Sequence, residues 1–131
     1  MELVSALFVE GIDVRQVPGP ATRIDLTGVF FSVAVAEFPT VLTPHLVVLV
    51  RAPDDDPGTA TFVAEFSVDG EQIARNVQPC PVEPGKFGYR LVRPELELAA
   101  PATVEARCSL AESGSTIVVP LTAFPAPSGG A

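Results

Sequence analysis

The stretch TVEARCSLA at residues 103–111, with TIVVPLTAF at residues 116–124 after it, decides the fold class. In the first segment Val104, Ala106, Cys108 and Leu110 alternate with Thr103, Glu105, Arg107 and Ser109. Successive side chains of a strand point to opposite faces, so this alternation is the signature of a half-buried strand. The second segment places Ile117, Val119, Leu121 and Ala123 on one face. Ser113-Gly114 between them reads as a two-residue turn, which would pair Leu110 with Ile117, Cys108 with Val119 and Ala106 with Leu121. Pro120 has no amide hydrogen to give a ladder, so this last strand is expected at a sheet edge.

Working upstream, the pattern repeats. Phe62, Ala64, Phe66 and Val68 share one face of Thr61–Asp69, and Asp69-Gly70 is the favoured pair for a type I′ hairpin turn. That turn leads into Glu71–Val77 and sets Ile73 opposite Phe66. Lys86–Val92 alternates with Phe87, Tyr89 and Leu91 read as inward, and Leu96 and Leu98 alternate with Glu95 and Glu97. The first half is less regular. Leu3–Val9 is apolar on both faces, Val29–Phe38 reads as one strand rich in Val and Phe, and Leu46–Ala52 is a nearly continuous apolar run; Leu3–Val9, Val29–Ala36 and Leu46–Val50 do not alternate. Arg23–Leu26 alternates weakly. Gly11–Pro20 reads as a loop or a short strand pair around Val14 and Val17. Pro39–Pro44 reads as a turn, and Asp54, Asp55 and Asp56 as an exposed loop. No segment carries a helical period. About eight or nine short strands separated by turn residues indicate an all-β chain. Strands apolar on both faces need cover on both, so an antiparallel two-sheet β-sandwich is expected, with a closed β-barrel as the alternative. One domain spans residues 1–124, and a Pro/Gly/Ser tail spans 125–131.

The composition narrows function by exclusion. With 131 residues, 47% of them hydrophobic, the chain can bury a core without a metal or disulfide staple. Eight basic residues among sixteen acidic ones give a net charge of −8. Nucleic acid binding needs clustered Lys and Arg to displace phosphate counterions, and anionic membrane surfaces need the same. No apolar run reaches the roughly 18–20 residues that span a bilayer, so no membrane insertion is expected. Glu2 replaces the basic start of a signal peptide, which points to the cytoplasm. There Cys80 and Cys108 are expected as free thiols.

Candidate chemistry is sparse. His45 is the single histidine, and Gly-x-Ser-x-Gly is absent. The Asp54–Asp56 run would need Glu83 or Asp25 to converge on it before it could ligate calcium. Glu95 and Glu97 read as the wet face of a strand, and Lys86, Arg90 and Arg93 as partners of neighbouring acids. No catalytic, cofactor-binding or metal-ligating residue is expected.

The order of segments also resembles a known family. An N-terminal apolar strand is followed by Glu37-Phe38-Pro39, then LVVLVR at 46–51, then the acidic loop. Val68-Asp69-Gly70-Glu71 and the Pro101-to-Arg107 hairpin strand complete it. Over about residues 3–124 this is similar to a family of small uncharacterised bacterial β-sandwich proteins, immunoglobulin-like or C2-like. The resemblance implies that fold and no activity or site residue.

One feature points towards function. A two-layer sandwich has one core, so strands apolar on both faces leave outward side chains without cover. On the first strand the outward set is Val4, Ala6 and Phe8, or else Leu3, Leu7 and Val9. On the second it is Phe30, Ala34 and Ala36, with the bulkier Phe31, Val33 and Val35 filling the core. Val4, Ala6, Phe8, Phe30 and Ala34 are therefore the candidate interface. The expected role is a non-catalytic structural or protein-binding module, docked on a protein partner or working as a homo-oligomer. A small-ligand or carbohydrate-binding sandwich is the alternative, although carbohydrate sites stack sugars on aromatics and this chain has no Trp and one Tyr, Tyr89.

Overall fold

The computed structural model describes residues 1–16 and 22–127. In chain order its strands are β1 (Glu2–Gln16), β2 (Thr22–Val29), β3 (Ser32–Val35), β4 (Thr40–Leu42), β5 (His45–Arg51) and β6 (Thr61–Val68). They continue with β7 (Glu71–Pro79), β8 (Phe87–Val92), β9 (Leu96–Leu98), β10 (Ala102–Leu110) and β11 (Thr116–Pro125). No helix occurs among the described residues. One sheet has the order β2-β1-β5-β8, a second the order β3-β11-β10-β6-β7, and β4 pairs with β9 alone. All pairs are antiparallel except β3 with β11. Neither sheet closes on itself, so the architecture is an open β-sandwich and not the alternative barrel.

The core lies between the layers. Phe8, Leu46, Val48 and Val50 of the four-stranded sheet meet Phe62, Phe66, Val104, Leu110 and Leu121 of the five-stranded one, all buried. Each inward set is spaced by two residues, as a strand requires.

Several local expectations change in detail. Cys108 pairs with Ile117, Ala106 with Val119 and Val104 with Leu121, two residues away from the expected register. The cause is a four-residue loop instead of a two-residue one. Leu110 N donates to Ser115 O at 3.0 Å, Gly114 N donates to Leu110 O at 2.9 Å, and Gly114 takes a left-handed φ of 74°. A shift of two keeps the same side chains inward, so the pattern hides it. Asp69 and Gly70 have φ of 50° and 81°, as a type I′ turn demands. A bulge beyond that turn then pairs Phe66 with Ala74 and leaves Ile73 as the extra residue.

β11 is not an edge strand along its whole length. β3 flanks it from Thr122 to Pro125, while Pro120 lies in the part whose only neighbour among the described residues is β10. The parallel pairing continues to Pro125, and Ala126 N donates to Val35 O at 2.8 Å. The sandwich thus runs past residue 124, and residues 128–131 of the expected tail lie outside the described residues. Val29–Phe38 is not one strand, because the chain leaves β2 at Val29 and joins the other sheet as β3 at Ser32. The Pro39–Pro44 turn contains β4. The Gly11–Pro20 loop is in its described part a strand, since β1 continues to Gln16 paired with β2. Val17 and Pro18 to Pro20 lie outside the described residues.

Candidate binding face

The face of the four-stranded sheet turned away from the core is built by phase. In β1, Leu3 pairs with Val50 and Ser5 with Leu49, so Val4 is a bulged extra residue. Beyond the bulge Ala6 and Phe8 point inward, which turns Leu7 and Val9 outward. In β5, Leu46, Val48 and Val50 are core residues, which turns Val47 and Leu49 outward. Register then sets Val47 between Leu7 and Leu91, Leu49 between Ser5 and Tyr89, and Val9 between Val29 and His45. Phe87 stands opposite Arg51.

β8 joins this face because its phase is opposite to the one expected. Gly88 and Arg90 pair with the core-facing Val50 and Val48, and Val92 is buried. A Cβ at Gly88 would lie 2.8 Å from Val82 Cγ2, so Val82 fills the place a side chain would take. Arg90 donates from Nη2 to Pro81 O at 3.3 Å. With Val82 and Pro81 covering the inner side, Phe87, Tyr89 and Leu91 turn outward. Phe87 is 65% exposed, Val29 43% and Leu91 39%.

The result is an apolar sheet face. Val9 and Val47 are buried at its centre although they are no part of the core between the layers. Leu7, Leu49, Tyr89, Leu91, Val29 and Phe87 surround them. At its rim Glu2 pairs with Arg51 at 2.6 Å. None of the other outward residues of Ser5–Val9, His45–Arg51 and Phe87–Leu91 is acidic, in a chain of net charge −8.

The five candidate residues read from the sequence do not form one surface. Ala6 and Phe8 are core residues, because the Val4 bulge fixes the phase of β1. Phe30 packs against the core, with its ring centroid 6.4 Å from that of Phe8, while Phe31 is 70% exposed. Val4 is exposed on β1, and Ala34 is exposed in the other layer beside Phe124. The alternative outward set on β1 contained Leu7 and Val9, and the bulge was the missing signal for choosing it.

The remaining chemistry-bearing groups are dispersed. Cys80 and Cys108 are both buried and free, and burial pushes the Cys108 thiol up to about 12. His45 is half-buried at the start of β5, opposite Val9. The three aspartates diverge. Asp54 lies against Gly85, while Asp56 is not solvated as a free loop residue but folds back. It accepts from Gly58 N at 2.8 Å and pairs with the Met1 amine, which together hold its carboxyl below the ordinary range. Glu83 pairs with Lys86 and Asp25 with Arg15, so neither reaches that loop. No group of three or more His, Cys, Asp or Glu among the described residues is placed to hold a metal. A cleft of about 420 Å³ between β4 and β9 is lined by Pro39, Thr40, Val41, Glu97, Leu98 and Ala99, with one titratable group.

Comparison with family models, with curated proteins and with solved structures finds no match.

Proposed function

We propose that the chain is a non-catalytic protein-binding β-sandwich module that works in an assembly and docks through the outer face of its four-stranded sheet. One observation carries this: on a strongly acidic chain, the outer face from Ser5 to Val9 and across β5 and β8 is apolar, with the Glu2 carboxylate paired at its rim and Asp13 and Asp25 further out on the β1–β2 arm. Interface centres are depleted of charge, and apolar side chains left exposed together, as Phe87 and Leu91 are on β8, mark interaction sites. The strand order supports an immunoglobulin-like reading of the module. β1-β5-β8 matches the A-B-E order of such domains, and β11-β10-β6-β7 matches the G-F-C-C′ order of variable-type sheets.

Photo-crosslinking in cells expressing the chain tests the docking face. The reactive group is placed at position 91, with position 118 on the outer face of the other sheet as the control. A docking face gives a discrete adduct from 91 that Leu49→Asp abolishes, and none from 118. Equal adducts from both positions, or none from either, contradict it.

A further inference from the structure

Beyond Val9, β1 leaves the body of the sandwich. Among the described residues Gly11 to Gln16 pairs with β2 alone, and β2 is the free edge of its sheet. Together they form a two-stranded arm. Its inner side carries the cross-strand pairs Ile12–Leu26 and Val14–Ile24, none of which belongs to the core. On its other side like charges stand opposite each other, Asp13 against Asp25 and Arg15 against Arg23. Such opposition destabilises a ladder. The Arg15–Asp25 diagonal pair offsets it, holding the Asp25 carboxyl below and the Arg15 guanidinium above their ordinary ranges. Arg23 makes no ion pair among the described residues.

Free sheet edges are templates for further strands, and native proteins guard them. On β8 the Gln78 side chain caps Leu91 O at 3.3 Å. β7 carries the bulge at Ile73 and ends in Pro79, and β3 is four residues long. β2 has eight residues with no proline and no bulge in its register.

We infer that β2 pairs antiparallel with β2 of a second copy of this chain, with Ile24 on the two-fold axis. The inference concerns the sheet's edge and stands apart from the docking face. Charge selects both occupant and register. With Ile24 on the axis, Arg23 stands opposite the partner's Asp25 and Asp25 opposite the partner's Arg23. An isologous contact satisfies both at once. Each Asp25 then lies between its own Arg15 and the partner's Arg23. Centring on Asp25 sets two carboxylates against each other, and centring on Leu26 leaves Arg23 opposite Val29. The chosen register also sets Ile24 beside its copy and extends the apolar band of Ile12, Val14, Ile24 and Leu26 across the axis. Two four-stranded sheets become one eight-stranded sheet, with main-chain hydrogen bonds supplying the affinity.

Sedimentation velocity on the full chain at about 100 μM tests this. The wild type sediments as a dimer. Arg23→Asp and Asp25→Arg each weaken dimerisation about tenfold or more, because each places like charges opposite one another twice. An equimolar mixture of the two variants recovers a dimer, and the double exchange Arg23→Asp/Asp25→Arg dimerises by itself. Circular dichroism melts confirm that each variant is folded, and should one single variant be unfolded, the double exchange decides alone. A monomeric wild type, a dimer indifferent to all these changes, or a double exchange that stays monomeric overturns the inference.

Discussion

The two outer faces of the sandwich obey different rules. On the five-stranded sheet, Glu65 stands between Arg75 and Arg107, Glu105 stands opposite Pro120, and the Thr103 and Thr122 hydroxyls share a hydrogen bond of 3.0 Å. Its outward positions alternate with a buried inward set, as in any antiparallel sheet with one wet face. On the four-stranded sheet, Leu7, Val9, Val47, Leu49 and Leu91 take the equivalent positions, and Val9 and Val47 are buried although they are no part of the core cluster. The same fold thus carries one outer face where polar side chains alternate with a few exposed apolar ones, Val77, Val118 and Phe124, and one whose central positions are almost all apolar. What distinguishes them is composition at fixed geometry.

The sharpest way to break the comparison is a charge at the centre of each face. Val47→Asp is expected to cost about 3 kcal/mol or more, since it desolvates an unpaired carboxylate beside Leu7 and Leu91. Urea unfolding measures it, and a cost near that of a surface change would mean the face is already wet. Gly88→Ala is expected to cost about 1–3 kcal/mol, because the new Cβ must displace Val82. Neutral Gly88→Ala would remove the explanation for the phase of β8 that keeps Phe87, Tyr89 and Leu91 outward.

Acid probes two loop carboxylates. Glu112 accepts from Thr61 N at 2.8 Å and Thr61 Oγ1 at 2.9 Å, and these bonds hold its carboxyl below the ordinary range, as Gly58 and Met1 do for Asp56. A carboxyl lowered in the folded state stabilises above its unfolded value of about 4 and loses that contribution as pH falls through the folded value. The melting temperature should therefore drop from pH 5 to pH 2, and Glu112→Gln should flatten the drop. A profile unchanged by Glu112→Gln would contradict this. Smallest of all is Val118→Asp on the wet face, expected within about 0.5 kcal/mol of the wild type.

Legibility in the sequence followed the same division. β6, β10 and β11 alternate apart from Val63 and Val118, so their inward sets were readable from periodicity, and each occupies its predicted face. Alternation does not report its own sign. Phe87, Tyr89 and Leu91 form a perfect alternating set, yet they face out because the partner that fills the inner side, Val82, comes from another segment. In β1 a continuous apolar run carries no phase at all, and the bulge at Val4 chose it. Hairpin register failed for a related reason, since a four-residue and a two-residue loop bury the same side chains. That an outer face is rich in apolar side chains was legible from non-alternation in Leu3–Val9 and Leu46–Val50; which residues form that face was not.

Hydroxyl-radical footprinting compares the two faces most directly, because each carries an exposed aromatic probe. Phe87 is 65% exposed on the four-stranded sheet and Phe124 is 40% exposed on the five-stranded one. In the purified chain both should oxidise. In cells expressing the chain, Phe87 and Tyr89 should be protected while Phe124 stays reactive. Phe87 oxidised in cells as readily as in the purified chain would contradict a docking face on the four-stranded sheet.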